Sequence, residues 1–149
     1  MTIIDINANI EMARREKINK TIKSASRFIW VTFQKAGFHY YQQAASDPVL
    51  ADVRYLANQH RHLFKFRITI EVQHSDREIE FHQFLNYCES LFDTQTIDIN
   101  GKSVEMLADD LYEHIIKQYP GRAIEIQISE DGEAGCMVFY DAPQLQKSA

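Results

Sequence analysis

His60 and His62 stand two residues apart, just ahead of a segment in which Phe64, Phe66, Ile68, Ile70 and Val72 alternate without exception with Lys65, Arg67, Thr69, Glu71 and Gln73. The alternation reads as a half-buried strand, and its period places both imidazoles on the face that carries Phe64 and Phe66. Two imidazoles on one face can share a metal ion. His39, at the end of an earlier apolar run, is available as a third ligand. Three histidines with one position left open make a catalytic-type zinc site. Taken alone, the His-x-His spacing also fits histidines that cap, pair or face solvent.

Glu130 is the acid whose position asks for a reason. It has the parity of Ile124, Ile126 and Ile128 and stands immediately before the Asp131-Gly132 turn, so its carboxylate points toward the protein side, where an ionised acid needs a partner. Turn amides or a nearby arginine would be structural partners. The functional alternative is a ligand with two parallel N–H groups, such as the amidine-like edge of a guanine or a pterin. His74, His82 and His114 fall in a turn or on helix surfaces and read as solvated. Cys88 lies in a helical stripe and Cys136 inside a strand, so both read as packed, reduced thiols. The chain has no G-x-S-x-G, P-loop, G-x-G-x-x-G or H-E-x-x-H motif, which leaves hydrolase, NTPase and dinucleotide readings without a starting residue.

The elements that must position these groups follow from periodicity. Ile10, Ala13, Ile18 and Ile22 recur among charges and predict a short, weakly amphipathic helix over Asn7 to Ala25. Phe28 to about Gln34 favours a strand, with Gly37 as a place for it to bend or bulge. Residues 41–59 are mixed, with a turn at Asp47-Pro48 and a helical stretch from Val49 to Asn58. Phe81, Phe84, Leu85, Cys88, Leu91 and Phe92 fall at helical steps. After a loop at Asp98, Asn100 and Gly101, Ser103 can cap a helix with the stripe Val104, Leu107, Ala108, Leu111, Ile115 and Tyr119, ended by Pro120-Gly121. Ile124 to Ser129 and Cys136 to Tyr140 then make a hairpin. Two strands, two helices and two strands predict an α+β fold, an antiparallel sheet with both helices on one face. The polar row from Lys65 to Gln73 must then face water or a solvent-filled channel made by oligomerisation.

Composition bounds the rest. A chain of 149 residues with 45% hydrophobic and 25% charged side chains is expected to form one domain, and at this length it can bury about 68–70% of its unfolded surface without a structural metal or disulfide. Its 16 Lys and Arg against 21 Asp and Glu leave a net charge of −5, with no concentrated basic footprint, so a nucleic-acid partner is not expected. Arg14, Arg15, Lys17, Lys20 and Lys23 are interspersed with Glu11 and Glu16 and read as a solvated helix face. Neither a signal peptide nor an apolar span is seen, and a cytoplasmic, membrane-free protein is the expectation.

Together these residues resemble a known family. His39, the pair His60-Arg61-His62 opening a long alternating strand, Glu80-Phe81 leading into a helix, Ser103-Val104-Glu105 opening the next, and Ser129-Glu130 followed by Ala134-Gly135-Cys136 are similar to the 6-pyruvoyl- and 6-carboxytetrahydropterin synthase family. From Lys102 to Tyr140 the likeness is to the queuosine-pathway type. The resemblance implies a tunnelling fold (T-fold) over residues 28–142, with a helical extension at 1–27, an insertion after the first strand and a flexible tail at 143–149. It implies a homohexameric ring, Zn2+ held by His39, His60 and His62, and a pterin or purine ring anchored by Glu130 at a subunit interface. The activity implied is that of a lyase acting on 7,8-dihydroneopterin triphosphate or a related compound. Here the sequence departs from the family pattern. Arg61 replaces a glycine, residues 52–59 contain no cysteine, and the expected Asp-His dyad is reduced to Asp93 followed by Thr94. Asp52, His82 and Asp93 are the groups left as proton carriers, with Asp52 and Asp93 the candidate catalytic acids. A degenerate relative that binds such a ligand without turnover, and an assembly module that recruits a partner protein, are the alternatives.

Overall fold

The computed structural model describes residues 3–143, with side chains from Ile10 onward. In chain order the elements are α1 (Ile3–Ser24), β1 (Arg27–His39), two 3₁₀ segments (Gln42–Ala45 and Pro48–Ala57), β2 (His60–Val72), α2 (Phe81–Ser90), β3 (Thr96–Asp98), α3 (Val104–Gln118), β4 (Ile124–Glu130) and β5 (Ala134–Tyr140). The sheet order is β3-β1-β2-β4-β5.

β2 runs through the middle, and its alternation is the organising pattern of the core. Phe64, Phe66, Ile68 and Ile70 are almost fully buried against Ile124, Ile126 and Ile128 of β4. The two helices cover the same face: Phe84 and Cys88 from α2 join Leu107, Ala108, Leu111 and Ile115 from α3 in one continuous core. Each helix starts with a side-chain cap, Glu80 accepting the Gln83 N–H at 2.9 Å and Ser103 accepting that of Met106 at 3.2 Å. The fold class is α+β, as the order of elements predicted.

Four details differ from the sequence reading. β1 is longer than Phe28–Gln34, and it pairs with β2 in unbroken register from Arg27↔Val72 to His39↔His60. Gly37 therefore makes no bend. An added Cβ there would lie 2.6 Å from Ile97 Cγ1 and 2.7 Å from Phe64, so the glycine is what lets another backbone come close. That backbone is β3, which pairs parallel to β1 at Ala36↔Thr96 and Phe38↔Asp98 and makes the sheet mixed rather than purely antiparallel. Finally, α1 starts at Ile3, four residues before Asn7, and every described side chain from Ile10 to Ser24 is exposed, the expected apolar positions Ile10, Ala13, Ile18 and Ile22 included. Arg27 ties its end to the body, donating to the carbonyls of Ile22 and Ala25 and, at 2.6 Å, to Ser75 Oγ.

The insertion leaves the sheet after His39 and returns at His60, which are paired residues, and its own ends are fastened by Tyr41 N–H donating to Leu56 O at 2.7 Å. Asp47 caps the second 3₁₀ segment by accepting the Val49 N–H. The outer face of the sheet carries the expected Lys65 and Arg67, together with exposed Phe28, Trp30, Phe38, Met137 and Phe139 from the flanking strands. Arg67 stacks over the Trp30 ring at 4.3 Å. A groove of about 780 Å³ lies across this face between Thr32, Arg67 and Met137. Residues 144–149 of the expected tail lie outside the described residues. Among the described residues, no helix is long and apolar enough to cross a membrane.

Candidate metal centre

The long β1–β2 hairpin delivers His39 and His60 as a cross-strand pair at the end where the insertion joins its strands, and His62 follows two residues on, opposite Gly37. All three belong to the face that further along is packed with phenylalanine and isoleucine. Their ring centroids are 4.5, 4.8 and 5.0 Å apart, and one nitrogen from each lies within 4.8 Å of the others. The edge of Phe64 closes the floor, 5.8 Å from the His39 ring and 5.7 Å from that of His62.

The hydrogen bonds around the rings decide which nitrogens are free. His60 Nδ1 lies 2.7 Å from the Asn58 carbonyl, which can only accept, so that nitrogen carries the proton. His62 Nδ1 donates in the same way to Asp131 Oδ2 at 2.6 Å. Both Nε2 atoms are thereby left with lone pairs. The Nε2 atoms of His39, His60 and His62 are all buried and make no hydrogen bond. Buried nitrogens that converge without partners are costly unless something binds them, and a metal ion is the group that this donor set suits. Burial, foremost, pushes the His39 pKa down; Glu130 opposes the shift, while His60 and His62 add to it, so the ring is neutral near pH 7, as a ligand must be.

Glu130 reaches into the same cluster. Its Oε1 is 3.2 Å from His39 Nε2 and its Oε2 3.7 Å from His62 Nε2, both without hydrogen-bond geometry. Neither an arginine nor a turn amide bonds this side chain among the described residues; its neighbours are the histidines.

In the sequence Asp131 reads only as part of a turn, yet in the structure it is the residue that orients His62. It sits in the left-handed region at φ 57, where its Oδ1 accepts the Leu63 N–H at 2.8 Å and its own N–H donates to Leu63 O at 3.0 Å. The hydrogen bond from His62, and then that from Leu63, holds its carboxyl below the ordinary range. An aspartate before a glycine is so common in turns that only the β2–β4 pairing reveals its second use.

Structure thus brings together His39, His60, His62 and Glu130. It does not bring in Asp52 or Asp93. Asp52 is exposed on the second 3₁₀ segment, and Asp93 is exposed after α2, lining a separate groove with Asp98, Lys102 and Asp110. His82 is exposed at the start of α2, and His74 and His114 are exposed as expected. Burial pushes the Cys88 thiol up to about 12 and also raises that of Cys136, so both thiols are protonated near neutral pH.

No known protein family matches the sequence, and no curated protein does. Solved structures do. 6-Pyruvoyl tetrahydropterin synthase from Caenorhabditis elegans superposes with a TM-score of 0.57 at 10% identity, over 80% of this chain and 98% of that one. The chain has the tunnelling fold. The uncharacterized protein WS1659 from Wolinella succinogenes aligns at 14% identity over 79% of this chain and all of its own, with a TM-score of 0.47 that adds nothing to the assignment. At such identities the likeness speaks for the fold alone. Within this tunnelling fold the histidine group sits where the hairpin, the insertion and the β4–β5 turn meet.

Proposed function

We propose that this protein is a 6-carboxy- or 6-pyruvoyl-tetrahydropterin synthase-like metalloprotein of the cytoplasm, with Zn2+ held by His39, His60 and His62 and a pterin or purine compound bound beside it. The observation that carries this reading is the trio of buried, unpartnered Nε2 atoms with a carboxylate at its side. When bound, zinc supplies Lewis acidity toward a substrate hydroxyl or carbonyl oxygen. The chain's own residues supply the rest. Asp131 fixes the tautomer of His62, and Asn58 fixes that of His60. Glu130 accepts the paired N–H groups of the heterocycle and so orients its side chain toward the histidines. The outer face of the sheet, with its exposed aromatic and basic residues, becomes the lining of a homohexameric ring.

The reaction proposed is loss of triphosphate from 7,8-dihydroneopterin triphosphate or a close analogue. Asp52 and Asp93 are the proton carriers proposed for it. Neither joins the histidine group of its own subunit, so each would serve the site of a neighbouring one. A second reading is favoured by the placement of the remaining groups: Cys88 and Cys136 are packed with the core and Asp93 lines a separate groove, which fits a tunnelling-fold protein that binds the ligand without turnover. Incubation of the zinc-loaded protein with 7,8-dihydroneopterin triphosphate decides between them. Release of triphosphate that is lost in His60→Ala supports the lyase. Saturable binding without release, abolished by Glu130→Ala, supports the binder. Neither binding nor release would sink both.

A further inference from the structure

Glu130 is too close to the histidines to serve only as a ring anchor. In a tetrahedral zinc site with bonds of about 2.0–2.2 Å, neighbouring ligand atoms are separated by about 3.3–3.5 Å. Oε1 stands 3.2 Å from His39 Nε2 and Oε2 3.7 Å from His62 Nε2, so each oxygen is close to that spacing from one of the two histidines, and a small turn of the side chain would bring a single oxygen to the ion the three histidines surround. Hydrogen bonding does not account for the approach, because both nitrogens lack a hydrogen-bond partner and the Nδ1 of His62 already holds the ring's proton against Asp131. The backbone also holds the residue beside the histidines. Glu130 is the last residue of β4, in register with Phe64 of β2, and the next residue, Asp131, is locked to Leu63 by a pair of hydrogen bonds.

From this geometry we infer that Glu130 is a fourth protein ligand, so that the ligand-free protein holds its metal in a closed His₃Glu centre. This rests on the reading of the three histidines as metal ligands. A closed centre has no position for an outside molecule. A heterocycle that takes both carboxylate oxygens therefore draws Glu130 off the metal and opens a position in the same step. The carboxylate then couples recognition of the ring to exposure of the ion, a link that an independent anchor would not make.

Cobalt substitution tests this without reference to turnover, because the visible d–d absorption of Co2+ reports coordination number. Wild type, Glu130→Ala and Glu130→Gln are loaded with Co2+ at neutral pH, with circular dichroism to show that each is folded, and titrated with azide as a small coordinating anion. Wild type is expected to show the intense bands of a four-coordinate site and no response to azide. Both variants are expected to bind Co2+ at least about 10-fold more weakly and to change their spectra as azide enters the vacated position. Equal affinity and equal spectra in wild type and Glu130→Gln, or a wild-type spectrum that responds to azide, overturns the fourth ligand while leaving the histidine site standing. A wild type that takes up no Co2+ or Zn2+ overturns the metal reading itself, and the inference with it.

Discussion

The two ends of the β1–β2 hairpin both carry partly buried polar side chains, and they arrange them in opposite ways. At the far end Arg122 donates to the Glu71 carbonyl at 2.9 Å and to Glu78 Oε1 at 2.5 Å, Gln73 N–H donates to Glu78 Oε2, and the Glu71 carboxylate accepts the Ala123 N–H at 3.1 Å. Donors and acceptors there satisfy one another. At the near end the outward nitrogens of His60 and His62 are satisfied, while the three inward ones face a common point with nothing to bond. A polar cluster that closes on itself stabilises the fold. One that is complete on its outside and open on its inside is arranged to hold something, and it gives up stability until that something is bound.

The sharpest way to break this contrast is to remove a ligand. His60→Ala is expected to weaken zinc binding by at least about 100-fold, read by chelator competition and by metal content per chain. Because binding to the folded state raises stability, a strong chelator should lower the melting temperature of wild type and leave that of His60→Ala unmoved. At the far end the expectation is reversed. Arg122→Met strands the partly buried Glu78 carboxylate and should cost about 1–3 kcal/mol of folding stability in a denaturant titration, with zinc affinity unchanged. If Arg122→Met weakened zinc as strongly as His60→Ala, the two ends would not be independent.

A smaller effect separates orientation from ligation. Asp131→Asn keeps an oxygen for the Leu63 N–H but turns an amide N–H toward His62 Nδ1, which favours the tautomer with its proton on Nε2. Zinc affinity should fall about 10- to 100-fold, and the loss should shrink at higher zinc without any change in stoichiometry. An unchanged affinity would show that Asp131 serves only the turn.

What could be read in the chain follows the same division. The period-2 pattern of β2 was legible because Phe64 to Val72 face the core, and it carried the His60-His62 pair with it. The last third of β1 was not legible. Its inward positions are Lys35, Gly37 and His39, so the apolar beat stops where the core face becomes the site, although the strand itself continues. β3 is three residues long, too short to show any period, and its place depends on Gly37 having no side chain. Glu130 was legible from its parity, and its contact with the histidines was not, because that depends on the β2–β4 register. Asp52 and Asp93 came from the absence of better-placed acids rather than from a pattern, and the structure leaves both on the surface, outside the histidine group.

The least drastic test uses pH, and it should take the two ends apart in sequence. Zinc requires neutral imidazoles, so protons compete with the metal and acidification should release it while the Glu78 carboxylate at the far end still keeps its charge. Glu78 behaves differently. The hydrogen bond from Arg122, and then that from the Gln73 amide, lowers its pKa from 4.5 to about 2. A carboxyl whose folded pKa lies below its unfolded value contributes stability that is fully present above the unfolded pKa and is lost as pH falls through the folded one. Its share should therefore disappear between about pH 4.5 and pH 2. Stability measured by denaturant at pH steps from 7 to 2 should fall in two stages. The first should vanish in metal-free protein or in His60→Ala, and the second in Glu78→Gln. A single stage shared by all the variants would mean that the two clusters titrate as one network along the hairpin, and the contrast between a closed cluster and an open one would no longer hold.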